Sequence, residues 1–186
     1  MKRRNLIVTL TLSALFCTLI CVGSFIRIPM PNMMPITLQT FFVLFTGLVL
    51  PVKASALATV TYMSLGLIGL PIFSGGGGLG YVLMPNFGFI IGFVLASVIM
   101  SVVTEKLKKR TFWRYFTISF LGVTIIYIIG IFYFAFITNV YNKSDYSAMW
   151  FIQTVFLPFL PKEIICIILA SLSAYKIRPY ITKIQQ

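Results

Sequence analysis

The sequence predicts an all-α integral membrane protein: a single transmembrane domain over residues 1–186, with six transmembrane helices and both termini cytoplasmic. Three observations predict it. Of the 186 residues, 59% are apolar and only 10% charged, too few polar side chains to cover a soluble domain of this length. Apolar runs of roughly 20 residues recur, the length an α-helix needs to cross about 30 Å of hydrocarbon. The basic residues lie in short tracts between those runs, in a lopsided distribution that orients them.

The first span is expected from about Leu6 to Phe25. The start, Met1-Lys2-Arg3-Arg4, has the outline of a secretory signal, but no small-x-small cleavage site leads into a soluble domain, so the segment is expected to stay as a helix. Pro29, Pro31 and Pro35 then fix an extended loop, since each ring removes a backbone donor and keeps the preceding residue out of the α region. The second span begins near Thr37 and ends at Pro51; the third runs from about Ala54 to Leu70. A glycine-rich loop, Ser74 to Tyr81, separates it from the fourth, about Phe87 to Val103. The fifth covers about Arg114 to Ile137 and is followed by a polar loop, Asn139 to Tyr146. The last apolar stretch, Ala148 to Tyr175, is broken by Pro158 and Pro161; it reads as a short interfacial piece and then a sixth span from about Pro161.

With the N-terminus inside, the inner tracts hold Lys2, Arg3, Arg4, Lys53, Lys106, Lys108, Lys109, Arg110, Arg114, Lys176, Arg178 and Lys183. The outer loops hold only Arg27 and Lys143, with Lys162 at the start of the sixth helix, and adding or removing one span would break this asymmetry. The net charge of +12 therefore points to anionic lipid head groups, and no nucleic-acid partner is expected. Cys17, Cys21 and Cys166 lie inside apolar segments without ligand spacing and read as packing residues, with no metal site.

The chain has no histidine, and its acids are Glu105, Asp145 and Glu163, which leaves little for catalysis. No phosphate-cradling loop is present, so this chain hydrolyses no nucleotide itself. The neighbours Lys162 and Glu163 carry the most information: charged groups at membrane depth cost roughly 2.5–3.5 kcal/mol each and persist where a ligand, each other or the head-group region compensates. Snorkelling to the surface and a helix-dipole gain for Glu163 are the plainer alternatives. Gly76, Gly77 and Gly78 form either a slack linker or a place where backbone amides approach a small ligand. Phe73, Tyr81 and Phe87 either stack on that ligand or form an interfacial belt. Ser13 with Cys17, and Ala14 with Thr18, put small residues at helical spacing for close contact, internally or with another membrane protein.

Several segments resemble the BioY family, the biotin-specific substrate-binding subunits of energy-coupling factor transporters. They are Ala14-Leu15-Phe16, Val22 to Pro29, Ile36 to Val43 (containing Gln39), Gly66 to Phe73, Leu79 to Phe89 (containing Asn86), and Phe159-Leu160-Pro161. The fifth helix is similar mainly in hydropathy. The resemblance implies an S-component-like bundle with an outward-facing pocket, covered by a lid containing Arg27, Pro29, Pro31 and Pro35. It implies biotin as the transported ligand, with no cofactor. It also implies a transmembrane coupling subunit that meets Ser13, Ala14, Cys17 and Thr18, and two cytoplasmic ATPase subunits that use the ATP. The ligand contacts expected on this basis are Glu163, Lys162, Asn86, Tyr81, Gln39, Phe73, Phe87, Gly76, Gly77, Gly78 and Cys166. The family commonly reads Pro-Gly-Asp-x-x-Lys where this chain reads Pro161-Lys162-Glu163-Ile164-Ile165-Cys166. The acid is one methylene longer and the lysine position is Cys166; Lys162, one turn earlier on the same face, is expected to deliver the missing ammonium. An S component for another small vitamin or carboxylate is the nearest rival. A structural or channel protein and a membrane enzyme follow.

Overall fold

In hydrocarbon every backbone N–H and C=O must find its partner within the chain, and for these apolar runs that means the α-helix. The computed structural model describes residues 2–30, 34–107 and 109–184. Its helices are α1 (Lys2–Phe25), α2 (Gln39–Val49), α3 (Val52–Leu67), α4 (Phe87–Glu105), α5 (Phe112–Ala135), the single turn α6 (Ala148–Phe151) and α7 (Leu160–Ile184). The strands among the described residues are β1 (Arg27–Ile28) and β2 (Ile36–Thr37), an antiparallel pair with Arg27 opposite Thr37.

Among the described residues, six helices have 11 residues or more, matching the expected number of helices, but four segments are long and apolar enough to cross a membrane. These are Arg4–Phe25, Phe87–Glu105, Phe112–Tyr141 and Ala148–Lys183. The expected second span shrinks to the 11 residues of α2, about 17 Å at 1.5 Å per residue. Its first residues are drawn into β2, and Pro51 forces Leu50 into an extended conformation at the other end (φ −85°, ψ 151°). The expected break at Pro158 and Pro161 is milder than the sequence suggests. A π-helical stretch (Ile152–Phe156) and a 3-10 turn (Leu157–Phe159) lead straight into α7, which tolerates Pro161 in its first turn and runs past Tyr175 to Ile184.

Close helix approach uses small residues, as bilayer-embedded packing requires. A Cβ at Gly47 of α2 would sit 2.9 Å from the Ser97 carbonyl of α4, and one at Gly92 of α4 would sit 3.0 Å from the Ile126 Cα of α5. Hydroxyl pairs bridge two further contacts, Thr59 of α3 with Ser97 of α4 and Ser119 of α5 with Ser171 of α7, each at 3.1 Å. The α2–α3 turn is held from two sides. The Ser101 hydroxyl donates to Leu50 O (2.5 Å), the Glu105 carboxylate accepts from Val52 N–H (2.9 Å), and the buried Arg178 guanidinium donates to Leu48 O. At the far end of α3, the Ser24 hydroxyl donates to Ile72 O (2.5 Å) and Arg27 donates to Ser74 O, tying the β1–β2 segment to the glycine loop.

Candidate ligand site

Between the β1–β2 segment and the helix ends lies a cavity of about 580 Å³ of atom-free space, counted with its opening. Four helices place its polar groups: Gln39 and Thr40 in the first turn of α2, Asn86 at the start of α4, Tyr127 midway along α5, and Lys162 and Glu163 in the first turn of α7. Phe89, Ile90, Phe93 and Ile126 give the apolar wall. Met34, Pro35, Thr37, Ser74 and Tyr81 contribute from the connecting segments.

Glu163 is 3% exposed. Its Oε1 takes the Lys162 ammonium at 2.5 Å and the Tyr127 phenol proton at 3.0 Å, while Lys162 also donates to Thr40 Oγ1 at 3.1 Å. Its Oε2 is buried and meets no hydrogen-bond donor among the described residues. A buried polar atom left this way costs about 1–3 kcal/mol, which a guest with an N–H or O–H would recover. The carboxylate is thus half saturated, with Oε1 anchored and Oε2 available. In the connecting segment between α3 and α4, burial raises the Tyr81 phenol pKa above its ordinary value, with the Ser74 side chain pulling the other way.

Among the expected contacts, Glu163, Lys162, Asn86, Tyr81 and Gln39 are brought together around this cavity. Phe73 stands one layer behind, edge-on to Tyr62 (5.4 Å) and tilted against Tyr81 (4.7 Å), where it fixes the Tyr81 ring. Phe87 is buried against Tyr133. Cys166 is 1% exposed and is not among the lining residues; it lies against the Phe41 backbone, one turn below Lys162. Lys162, expected to supply an ammonium in place of the family lysine, lines the cavity. The glycines do not line it. Gly76 exchanges both backbone hydrogen bonds with Phe73, and Gly78 N–H donates to Gly66 O at 2.7 Å, so those amides are already used. Gly76 and Gly78 have φ of +126° and +102°, so the residue type is required by the turn itself.

Of the expected lid, Pro35 lines the cavity, Arg27 and Pro29 are exposed, and Pro31 lies outside the described residues. The small residues of α1 split into two rows. Ser13 and Cys17 are buried, with the Ser13 hydroxyl donating to Ala54 O of α3 at 3.1 Å, whereas Ala14 and Thr18 face outward. Sequence reasoning missed Thr40 and Tyr127. Thr40 sits inside a segment already singled out, but nothing in its type marks it. Tyr127 had a usable mark: a phenol in mid-span needs a buried acceptor, and the chain has few acids to supply one. Tyr127 and Glu163 also bound an apolar crevice of about 1,990 Å³ between α5 and the α6–α7 segment, so their side chains form a wall shared by the two spaces.

The model of the BioY family matches residues 1–183. The chain is 34% identical over 157 residues to a probable biotin transporter BioY of Lysinibacillus sphaericus, covering 83% of this chain and 80% of that one. It is 34% identical over 167 residues to the biotin transporter BioY of Thermotoga maritima, covering 89% and 93%. Its fold is similar to the crystal structure of an S-component for biotin from an ECF-type ABC transporter, with a TM-score of 0.85 and 26% identity over 96% of this chain and 95% of that one. A match over nearly the whole length, in sequence and in fold, around a cavity holding the acid and the lysine of one helix turn, has one consequence: the chain belongs to the BioY family.

Proposed function

We propose that this chain is the biotin-binding S component of an energy-coupling factor uptake transporter, and that the cavity between α2, α4, α5 and α7 is where biotin sits. One observation carries the placement: Glu163, which lines the cavity, has a buried carboxylate oxygen, Oε2, that no donor among the described residues satisfies. Biotin brings two ureido N–H donors, one ureido carbonyl, an apolar fused ring and a carboxylate tail. Glu163 Oε2 accepts a ureido N–H as a charge-assisted bond, and the apolar wall of Phe89, Ile90, Phe93 and Ile126 covers the ring. Burying that ring stabilises the complex by about 25 cal/mol per Å². Lys162 and Asn86 donate to the ureido carbonyl or to the carboxylate tail.

The cavity opens outward and both termini face the cytoplasm. The basic tracts support this, since Lys53, Lys106, Lys109 and Arg110 border the helix ends away from the cavity. The 27–35 segment acts as the lid, with Pro35 at the cavity and Arg27 anchoring it to Ser74. The outward row Ala14 and Thr18, seated on the buried pair Ser13 and Cys17, meets the membrane-embedded coupling subunit. Two cytoplasmic ATPase subunits supply the energy for release inward.

A second reading, an S component for another small vitamin or carboxylate, draws on Cys166 standing where the family commonly has lysine. Calorimetric titration of the purified protein with biotin, desthiobiotin and other water-soluble vitamins separates the two. Saturable heat with biotin at the lowest concentration supports the first, and preferential binding of another vitamin overturns it.

A further inference from the structure

Behind the cavity, Gln39 and Tyr62 form a buried relay whose hydrogen-bond direction follows from its last member. Gln39 is 4% exposed and lines the cavity; its Nε2 lies 2.8 Å from the Tyr62 hydroxyl. Tyr62, on α3, is 1% exposed, and its hydroxyl lies 3.2 Å from Ile72 O, which also accepts from Ser24. A carbonyl oxygen can only accept, so the single phenol proton goes to Ile72 O. The phenol oxygen then faces Gln39 with lone pairs alone. A carboxamide can meet lone pairs only with its NH₂ group, so Gln39 is held with nitrogen toward Tyr62 and oxygen toward the cavity.

We infer that Tyr62 is a positioning residue that sets the polarity of the ligand site: it makes Gln39 an acceptor, so that Gln39 Oε1 and Glu163 Oε2 together read the two N–H groups of a cyclic urea. The inference rests on the placement of the ureido group proposed above. Unconstrained, a carboxamide rotates to offer either end, and a site that offers either end does not distinguish a ureido N–H from an N-alkylated one. Two fixed acceptors do distinguish them, because each methylated nitrogen leaves one acceptor buried without a donor.

The test uses the full-length detergent-purified protein and calorimetric titration with biotin and with its two mono-N-methyl ureido analogues. The parent protein should prefer biotin over each analogue by about tenfold or more. Tyr62→Phe should weaken biotin by roughly three- to tenfold and shrink the preference against one analogue, the one methylated at the nitrogen that Gln39 reads. In a Gln39→Met background, Tyr62→Phe should change nothing further, because its effect passes through Gln39. Equal weakening by Tyr62→Phe with and without Gln39 would assign Tyr62 a merely structural part and overturn the inference, as would undiminished preference in Tyr62→Phe. Should Tyr62→Phe fail to fold, Gln39→Met alone decides: it must lose preference against a single analogue, and an unchanged preference overturns the acceptor assignment. A parent protein that ignores biotin altogether marks the failure of the functional reading, which is distinct from failure of the relay.

Discussion

Glu163→Gln changes one heavy atom and no volume, so it isolates the carboxylate. Oε1 holds the Lys162 ammonium at 2.5 Å and the Tyr127 phenol at 3.0 Å, while Oε2 has no donor among the described residues. The amide keeps one acceptor for Tyr127 but turns the other position into an NH₂ group. It also removes the charge that balances Lys162, although Thr40 Oγ1, 3.1 Å from the ammonium, remains. Against that loss, the unpaired anionic oxygen is gone, so the two terms oppose and folding stability should move little. Binding has no such compensation. The ureido N–H would face a donor in place of an acceptor, and a hydrogen bond to a charged group, about 1.5–3 kcal/mol, is lost. That corresponds to roughly 10- to 150-fold weaker biotin binding. Calorimetric titration gives the affinity, and thermal melting without ligand confirms that the fold is retained. An unaltered affinity in a folded Glu163→Gln protein would refute the placement of the ureido group.

Other outcomes follow from the same geometry. Tyr127→Phe removes the second anchor of Oε1 and should weaken biotin by about three- to tenfold, whereas Tyr127→Ala also opens the shared wall to the apolar crevice and should cost more; titration of both checks the order. Lys162→Glu places two carboxylates side by side at the cavity and should abolish measurable binding, and a variant that binds as tightly as the parent would remove Lys162 from the site. Arg27→Ala, which frees the β1–β2 segment from Ser74, and deletion of residues 31–34 should each speed biotin dissociation, measured by stopped-flow or filter chase. Gly92→Leu should destabilise the bundle severely, on the order of several kcal/mol, because its Cβ alone would sit 3.0 Å from the Ile126 Cα of α5 and the rest of the side chain has no room; the melting curve reports it.

The helical architecture was legible because hydrocarbon leaves the backbone few alternatives, and each apolar run announced its helix. Lengths were less legible. α2 reads as a span by hydropathy, yet the β1–β2 pairing takes its first residues, and the pairing of Arg27 with Thr37 leaves no periodic mark. At the site, the charged pair was conspicuous because two ionic groups beside an apolar run demand compensation, and both do line the cavity. The glycine loop misled for the opposite reason. Permissive backbone is equally needed to bring amides to a ligand and to build a tight turn, and Gly66, Gly76 and Gly78 serve the turn that backs Tyr81. Cys166 shares a helix face with Lys162, but a face is wider than a cavity, and one turn deeper it meets α2 instead. Tyr127 escaped notice because a lone tyrosine in an aromatic-rich helix looks like packing until its acceptor, 36 residues away in sequence, is brought beside it.

The biotin-bound structure of the detergent-purified protein tests the central claim most directly. A ureido nitrogen should lie about 3 Å from Glu163 Oε2, with the fused ring against Phe89 and Ile126. Biotin found in the cavity with its ureido group turned away from Glu163, leaving Oε2 without a donor, would contradict the claim that this carboxylate oxygen serves the ligand.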